Sequence, residues 1–169
     1  EYGLQPDVMY TSVLRRAMQT GDIALDAANR HWIPVVRSWR LNERHYGLLQ
    51  GRARSSVRSE FGDEQYFRWR RTYDAIPPPA HDVAAFATDP RYADLMGAVP
   101  STESLADVSA RLMPLWFDRV VPELRTGRNV LLVGHSNSLR ALIKGLDAIS
   151  DDDIPELNVP TGIPLHYEL

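Results

Sequence analysis

Apolar positions along this chain recur with two periods, and the places where one gives way to the other mark its organisation. Asn129 to Val133 is an apolar run of strand length closed by Gly134, and from Leu139 the apolar residues return at helical spacing through Leu142, Ile143 and Leu146. A strand that stops at a glycine and passes quickly into a helix predicts a parallel-sheet crossover unit, the helix running to about Ile149. A similar change occurs near the start of the chain. Asp7 to Tyr10 reads as a short buried strand, Thr11-Ser12 offers hydroxyl caps, and a helix is expected from Val13 to Ala28 with Val13, Ala17, Ala24, Leu25 and Ala28 facing a core. Trp32 to Trp39 is strand-like around Val35-Val36. Ser55 to Tyr73 is helical with a break at Gly62-Asp63, and Ile76-Pro77-Pro78-Pro79 stops it. The polar stretch from there to Glu103 is too long for a simple connection and predicts a lid or insertion. Ser104 to Thr126 predicts a long amphipathic helix on Leu105, Val108, Leu112, Leu115 and Trp116, kinked by Pro114 and Pro122 and ended by Gly127. Asp151-Asp152-Asp153 caps a short turn through Leu157, and Pro160 to Pro164 leads into a final strand, Leu165 to Leu169. The opening residues, Glu1 to Pro6, read as the end of a helix and a loop, so further sequence upstream is expected.

Composition narrows the function classes more than it changes this layout. At 169 residues the chain is expected to form a single domain, 1–169, with room for a sizeable core. A net charge of −3 gives no reason to expect a nucleic-acid partner, and no apolar run approaches the ~18 residues of a membrane span. Cysteine is absent, which excludes disulfides and thiolate metal sites and suits a cytoplasmic protein. The Asp triplet from 151 to 153 reads as a helix-start charge cluster rather than a metal site, so no metal is expected.

Candidate chemistry gathers at element ends. His135, Asn137 and Arg140 fall where a strand passes into a helix, the position at which open α/β sheets bind ligands and helix N–H groups favour an anion. Arg15 and Arg16 lie in the first turn of a helix, where cations oppose the helix dipole unless an anion is near. Arg40 to Gly47 holds a carboxylate, two arginines, a histidine and a tyrosine in eight positions, enough for proton transfer and anion binding together. Trp69-Arg70-Arg71 adds two guanidinium groups at a helix end. Each feature also has a plain reading as a helix cap, a solvated arginine pair or a charged last turn.

Taken together, Leu41-Asn-Glu-Arg-His-Tyr-Gly-Leu-Leu-Gln-Gly51, Tyr10-Thr-Ser-Val-Leu-Arg-Arg-Ala17, Trp69-Arg-Arg71, Asn137-Ser-Leu-Arg-Ala141 and Asn158-Val-Pro-Thr-Gly-Ile-Pro164 resemble the cofactor-dependent phosphoglycerate mutases of the histidine phosphatase superfamily. The blocks stand in that family's order and cover nearly the whole chain. The resemblance implies a doubly wound, three-layer α/β/α fold with a mainly parallel sheet and helices on both faces. It also implies interconversion of 3-phosphoglycerate and 2-phosphoglycerate through a phosphohistidine, primed by 2,3-bisphosphoglycerate, by a homodimer or homotetramer. Carried over position by position, Glu43 corresponds to the general acid/base and His135 to the second site histidine. Arg16 corresponds to a phosphate-binding arginine, and Arg44, His45, Tyr46, Arg54, Arg70, Arg71, Ser136 and Asn137 to substrate-binding positions. Phosphoryl transfer asks for positioning and for donors around the equatorial oxygens, which such a set supplies without a metal.

Three departures qualify the resemblance. Arg54 stands where the family commonly has lysine, and Ser136 where a glycine usually follows the histidine, so a Cβ there is expected to crowd a phosphate. The family's nucleophile sits in an Arg-His-Gly motif that these 169 residues do not contain; the first strand and helix, roughly 30 residues or more, are expected to be missing, leaving the chain inactive alone. Three alternatives stay open: a phosphatase of the same superfamily, a non-catalytic homologue that binds phosphorylated ligands, and an α/β-hydrolase. The last would use Gly134-His135-Ser136-Asn137-Ser138 as a nucleophile elbow, with Asp147 or Asp151 and His166 completing the triad.

Overall fold

The computed structural model of the chain describes residues 5–81, 88–95 and 99–169. It divides into two compact units. The first comprises Glu1–Glu43, Arg111–Leu139 and Val159–Leu169, the second Arg44–Ala110 and Arg140–Asn158.

The first unit is built on a three-stranded parallel sheet. β1 (Val8–Thr11) lies in the middle, with β2 (Val35–Arg37) on one side and β3 (Val130–Val133) on the other. Met9 pairs with Val35 and Leu131, and Thr11 with Arg37 and Val133, so the three strands end together at their carboxyl side. Parallel neighbours bury a strand on both faces, which is why Val8, Met9 and Tyr10 are apolar in succession rather than alternating. Helix α1 (Arg15–Ala27) returns over this sheet and packs Ala17 and Leu25 against Met9, Ile33 and Val133. Gly21 permits that approach, since a Cβ there would lie 2.6 Å from Met9 Sδ. β2 is shorter than the sequence predicts. Pro34 has no N–H to give the ladder, and Trp32 and Trp39 fall outside it, the latter opening a 3₁₀ turn, Trp39–Leu41.

The helix predicted from Ser104 to Thr126 is three segments. Ser104 and Asp107 form a reciprocal box that starts α4 (Leu105–Leu115): Ser104 Oγ accepts from Asp107 N at 3.0 Å, and Asp107 Oδ2 accepts from Ser104 N at 2.9 Å. A π-helical stretch, Trp116–Val120, follows and passes into α5 (Val121–Arg125). The widened stretch lies between Pro114 and Pro122, whose rings obstruct ordinary helical bonding, so the expected kinks take that form. Gly127, at φ +78°, ends α5.

In the second unit, α2 (Arg54–Phe61) and α3 (Asp63–Arg71) are separated at Gly62, φ +82°, where the sequence places the break. Leu49, Val57 and Trp69 form one core there, and Leu105, Val108, Ala141 and Ile154 a second. α6 (Ser136–Leu146) begins three residues before the predicted start and ends before Ile149. Two expectations need correction or narrowing. Leu165 to Leu169 is exposed and has no strand partner among the described residues, so the predicted final strand is absent. Of the expected lid, 82–87 and 96–98 lie outside the described residues, as does most of the predicted opening helix end; the remainder holds a 3₁₀ helix, Pro90–Leu95.

Candidate active site

The carboxyl ends of β1 and β3 bring the first unit's chemistry together. Thr11 is followed by Ser12, and Val133 by Gly134-His135. Ser12 Oγ lies 2.8 Å from His135 Nε2 and also accepts the backbone N–H of Leu14 at 3.1 Å. Ser12 therefore does not cap α1, as its position suggested; its hydroxyl closes the turn before the helix and orients the ring. Arg16 Nε donates to His135 Nδ1 at 3.2 Å. A guanidinium cannot accept, so Nδ1 presents its lone pair and the proton of the neutral ring sits on Nε2, directed at Ser12. Burial, then the positive charge of Arg16, push the ring's pKa down to about 4; Glu43 opposes the shift and Arg111 adds to it. His135 is 7% exposed, and its backbone N–H is held by Ser138 Oγ at 2.8 Å.

Glu43 faces the start of α6. Its Oε1 accepts from Asn137 Nδ2 at 2.9 Å and from Asn137 N at 3.3 Å, so one carboxylate oxygen occupies the N-terminal turn of a helix. Helix N–H groups and dipole favour negative charge there, whether a carboxylate or a phosphate oxygen supplies it. Arg16, Glu43, His135, Ser136 and Asn137 are thus placed in one unit: a guanidinium, a carboxylate, a neutral imidazole, a hydroxyl and an amide. Ser136 is exposed at the first position of α6.

The second unit holds the other predicted residues. Tyr46 is flanked by two cations, the guanidinium carbons of Arg44 and Arg70 lying 4.4 Å and 5.0 Å from its ring centroid. Arg44 is fully buried and donates Nη2 to Trp69 O at the end of α3. Arg70 also lies 5.7 Å from the Tyr66 ring. Tyr46, Tyr66, Arg52, Arg54 and Arg70 line an open cleft of about 170 Å³, where Arg54 supplies an exposed cation at the start of α2. Arg71 turns instead to backbone, donating to Pro155 O and, at 3.1 Å, to Leu157 O. His45 gives its backbone N–H and Nδ1 to Glu103 Oε2, both at 2.9 Å, and Glu103 N returns a bond to His45 O at 2.8 Å. Glu103, 2% exposed, sets that ring's tautomer by accepting from Nδ1.

Two arginines contribute in ways the sequence reading missed. Arg140, expected to face an anion, is buried and donates Nη2 to Arg71 O at 3.0 Å and Ile154 O at 2.7 Å. Arg111, not singled out at all, is bonded to the carbonyls of the segment that carries Glu43. The signal was present for both: each arginine interrupts an apolar helical stripe, Arg111 between Val108 and Leu112, Arg140 beside Ala141 and Ile143. A charged residue on a buried face must be paired, and here backbone carbonyls pair it.

Comparison with known proteins agrees with this layout. The family described as the histidine phosphatase superfamily (branch 1) matches residues 2–88. A 2,3-bisphosphoglycerate-dependent phosphoglycerate mutase of Rhodococcus jostii (strain RHA1) is 58% identical over 171 residues, covering all of this chain and 68% of the relative. A protein of the same name from Thermobifida fusca (strain YX) is 56% identical, covering all of the chain and 70% of the relative. Among solved structures, a mycobacterial glucosyl-3-phosphoglycerate phosphatase superposes with a TM-score of 0.65 at 25% identity, covering 91% of this chain and 64% of that structure. The chain therefore spans about two thirds of the length of these relatives. It belongs to the histidine phosphatase superfamily and, within it, to the family of the 2,3-bisphosphoglycerate-dependent phosphoglycerate mutases.

Proposed function

We propose that these residues serve the interconversion of 3-phosphoglycerate and 2-phosphoglycerate through a phosphohistidine primed by 2,3-bisphosphoglycerate. The observation that carries the proposal is the first-unit cluster, in which Glu43, Asn137, His135 and Arg16 are linked in pairs at the carboxyl ends of two parallel strands. Arg16, Asn137 and the N-terminal N–H groups of α6 offer donors for equatorial phosphoryl oxygens. His135 adds the Nε2 proton, now directed at Ser12. Glu43 is the group able to give and take the substrate hydroxyl proton. The donors suit bisphosphoglycerate, an anion needing several guanidinium and N–H partners and no metal. Within the second unit, Tyr46, Arg54 and Arg70 line a cleft and are proposed to bind an anionic group there, with Arg44 buried behind Tyr46. The nucleophilic histidine is not assigned to any residue of this chain, because none follows an arginine and precedes a glycine.

The phosphatase reading has one observation in its favour, the superposition on a glucosyl-3-phosphoglycerate phosphatase. Identity to the mutases is more than twice as high, and it extends over the whole chain. Family membership displaces the hydrolase reading with Ser136 as nucleophile. Calorimetric titration of residues 1–169 with 3-phosphoglycerate and with unphosphorylated glycerate, beside an enolase-coupled assay with 2,3-bisphosphoglycerate, tests the proposal. Expected are binding of the phosphorylated ligand alone, its loss in Arg16→Ala, its retention in Glu43→Gln, and no primer-dependent turnover. Equal binding of glycerate would refute the anion site. Robust turnover would mean that His31, His45, His81 or His166 has been recruited, and the roles proposed for Glu43 and His135 would be wrong.

A further inference from the structure

The segment from Ser38 to Glu43 has little regular structure beyond one 3₁₀ turn, yet it must hold the Glu43 carboxylate against the first turn of α6. Irregular backbone carries carbonyls that secondary structure does not satisfy, and a segment with unmet carbonyls drifts toward water. Here a single buried side chain meets them. Arg111, 7% exposed on α4, donates Nη2 to Asn42 O at 2.9 Å and to Glu43 O at 3.4 Å. Its Nη1 donates to Arg40 O and, at 3.4 Å, to Trp39 O, and its guanidinium carbon lies 5.5 Å from the Trp39 ring centroid. Arg40 Nη1 returns a bond to Arg111 O at 2.7 Å. On the segment's other side, Asn42 Oδ1 accepts from Val13 N at 3.1 Å, in the turn that also holds Ser12 against His135.

We infer that Arg111 is a positioning residue for Glu43: its two-armed guanidinium holds the carbonyls of residues 39–43 and so fixes the Glu43 carboxylate on Asn137. The chemistry of the donor supports this. Planar guanidinium presents several N–H groups in a fixed fork, so both arms bond a curved run of carbonyls at once; an ammonium is a single point donor and cannot reproduce the fork. The clamp acts on backbone, leaving the Glu43 carboxylate available to Asn137 and to a proton. Arg111 thus stands behind the acid/base rather than beside any reacting atom. The functional meaning rests on the acid/base role proposed above for Glu43; the clamp itself does not.

The test is an isotope-labelled NMR comparison of the full chain with Arg111→Lys and Arg111→Met, using Glu43→Ala as a marker of a broken Glu43–Asn137 contact. The expected result is that in both variants the Asn137 side-chain amide moves more than half of the way to its position in Glu43→Ala, together with the backbone amides of 39–43. Amides of Val8 to Tyr10 and Leu131 to Val133 should stay in place. Arg111→Lys keeps the charge and the aliphatic stem, and carries the test if Arg111→Met does not fold. An Asn137 amide left at its wild-type position in folded Arg111→Lys would overturn the inference. So would changes spread evenly over the sheet, which would reduce Arg111 to general packing. Failure to bind 3-phosphoglycerate counts against the proposed function alone, because the Asn137 readout needs neither ligand nor catalysis.

Discussion

The proton on His135 decides what the first unit can do at neutral pH. With Arg16 donating to Nδ1 and Ser12 accepting from Nε2, the ring is held neutral in one tautomer, a donor toward one side only. A phosphoryl oxygen arriving between Arg16 and the ring would compete with the Nδ1 lone pair for the Arg16 donor. Ser136, where the family usually has glycine, adds a side chain next to His135. It is exposed at the first turn of α6, so Ser136→Gly should change stability by no more than about 0.5 kcal/mol in urea denaturation. Phosphate affinity should be unchanged in that variant, and a fluorophosphonate should not label the wild-type chain. Stoichiometric labelling at Ser136 would restore the hydrolase reading.

Elements place these residues, and glycines decide where some elements turn. Gly47 has φ +57°, and a Cβ built on it would lie 2.1 Å from Pro78 O and 3.0 Å from Thr102. Gly47→Ala combines left-handed strain with overlap against backbone, and should cost about 2–4 kcal/mol. The loss should read out as a lower urea midpoint, with the amides of Leu48 and Thr102 displaced in NMR spectra. Legibility in the sequence followed the same logic. The strand-to-helix junctions at Thr11 and Val133 and the break at Gly62 were readable because each depends on local chemistry; the Asp153 side chain, by contrast, makes no cap bond to the turn it precedes. His135, Asn137 and Arg16 stand at or near those junctions, whereas Glu43 lies in the irregular segment after β2 and stood out only through the charged run from Arg40 to Gly47 and the family resemblance. Leu165 to Leu169 was misread because alternation specifies a face and not a neighbour, and no described strand pairs with it. Arg111 went unread, and Arg140 was misread as facing an anion, because their partners are carbonyls from distant segments, which no local pattern shows.

For the whole molecule, the consequence of a buried neutral histidine is a stability that depends on pH. The folded ring titrates at about 4, against about 6.5 when the chain is unfolded. Between these values the unfolded state binds more protons, so stability falls as pH drops from about 6.5 to about 4 and levels off below. The full shift corresponds to about 3 kcal/mol as an upper bound. Urea denaturation across that range should show the slope in wild type and a flatter profile in His135→Gln; identical slopes would mean that other groups dominate. No helix among the described residues is long and apolar enough to cross a membrane. Binding of an anion should act on the same ring in the opposite sense, since negative charge beside an imidazole favours its protonated form. Titrating the labelled chain with inorganic phosphate while following the His135 ring, the Asn137 side-chain amide and Arg16 Nε therefore probes the site without requiring turnover. The three signals should shift along one saturation curve, and the His135 midpoint should rise from about 4. Saturable phosphate shifts at other residues that leave these three signals and that midpoint unmoved would show that the Glu43–His135 cluster is not an anion site.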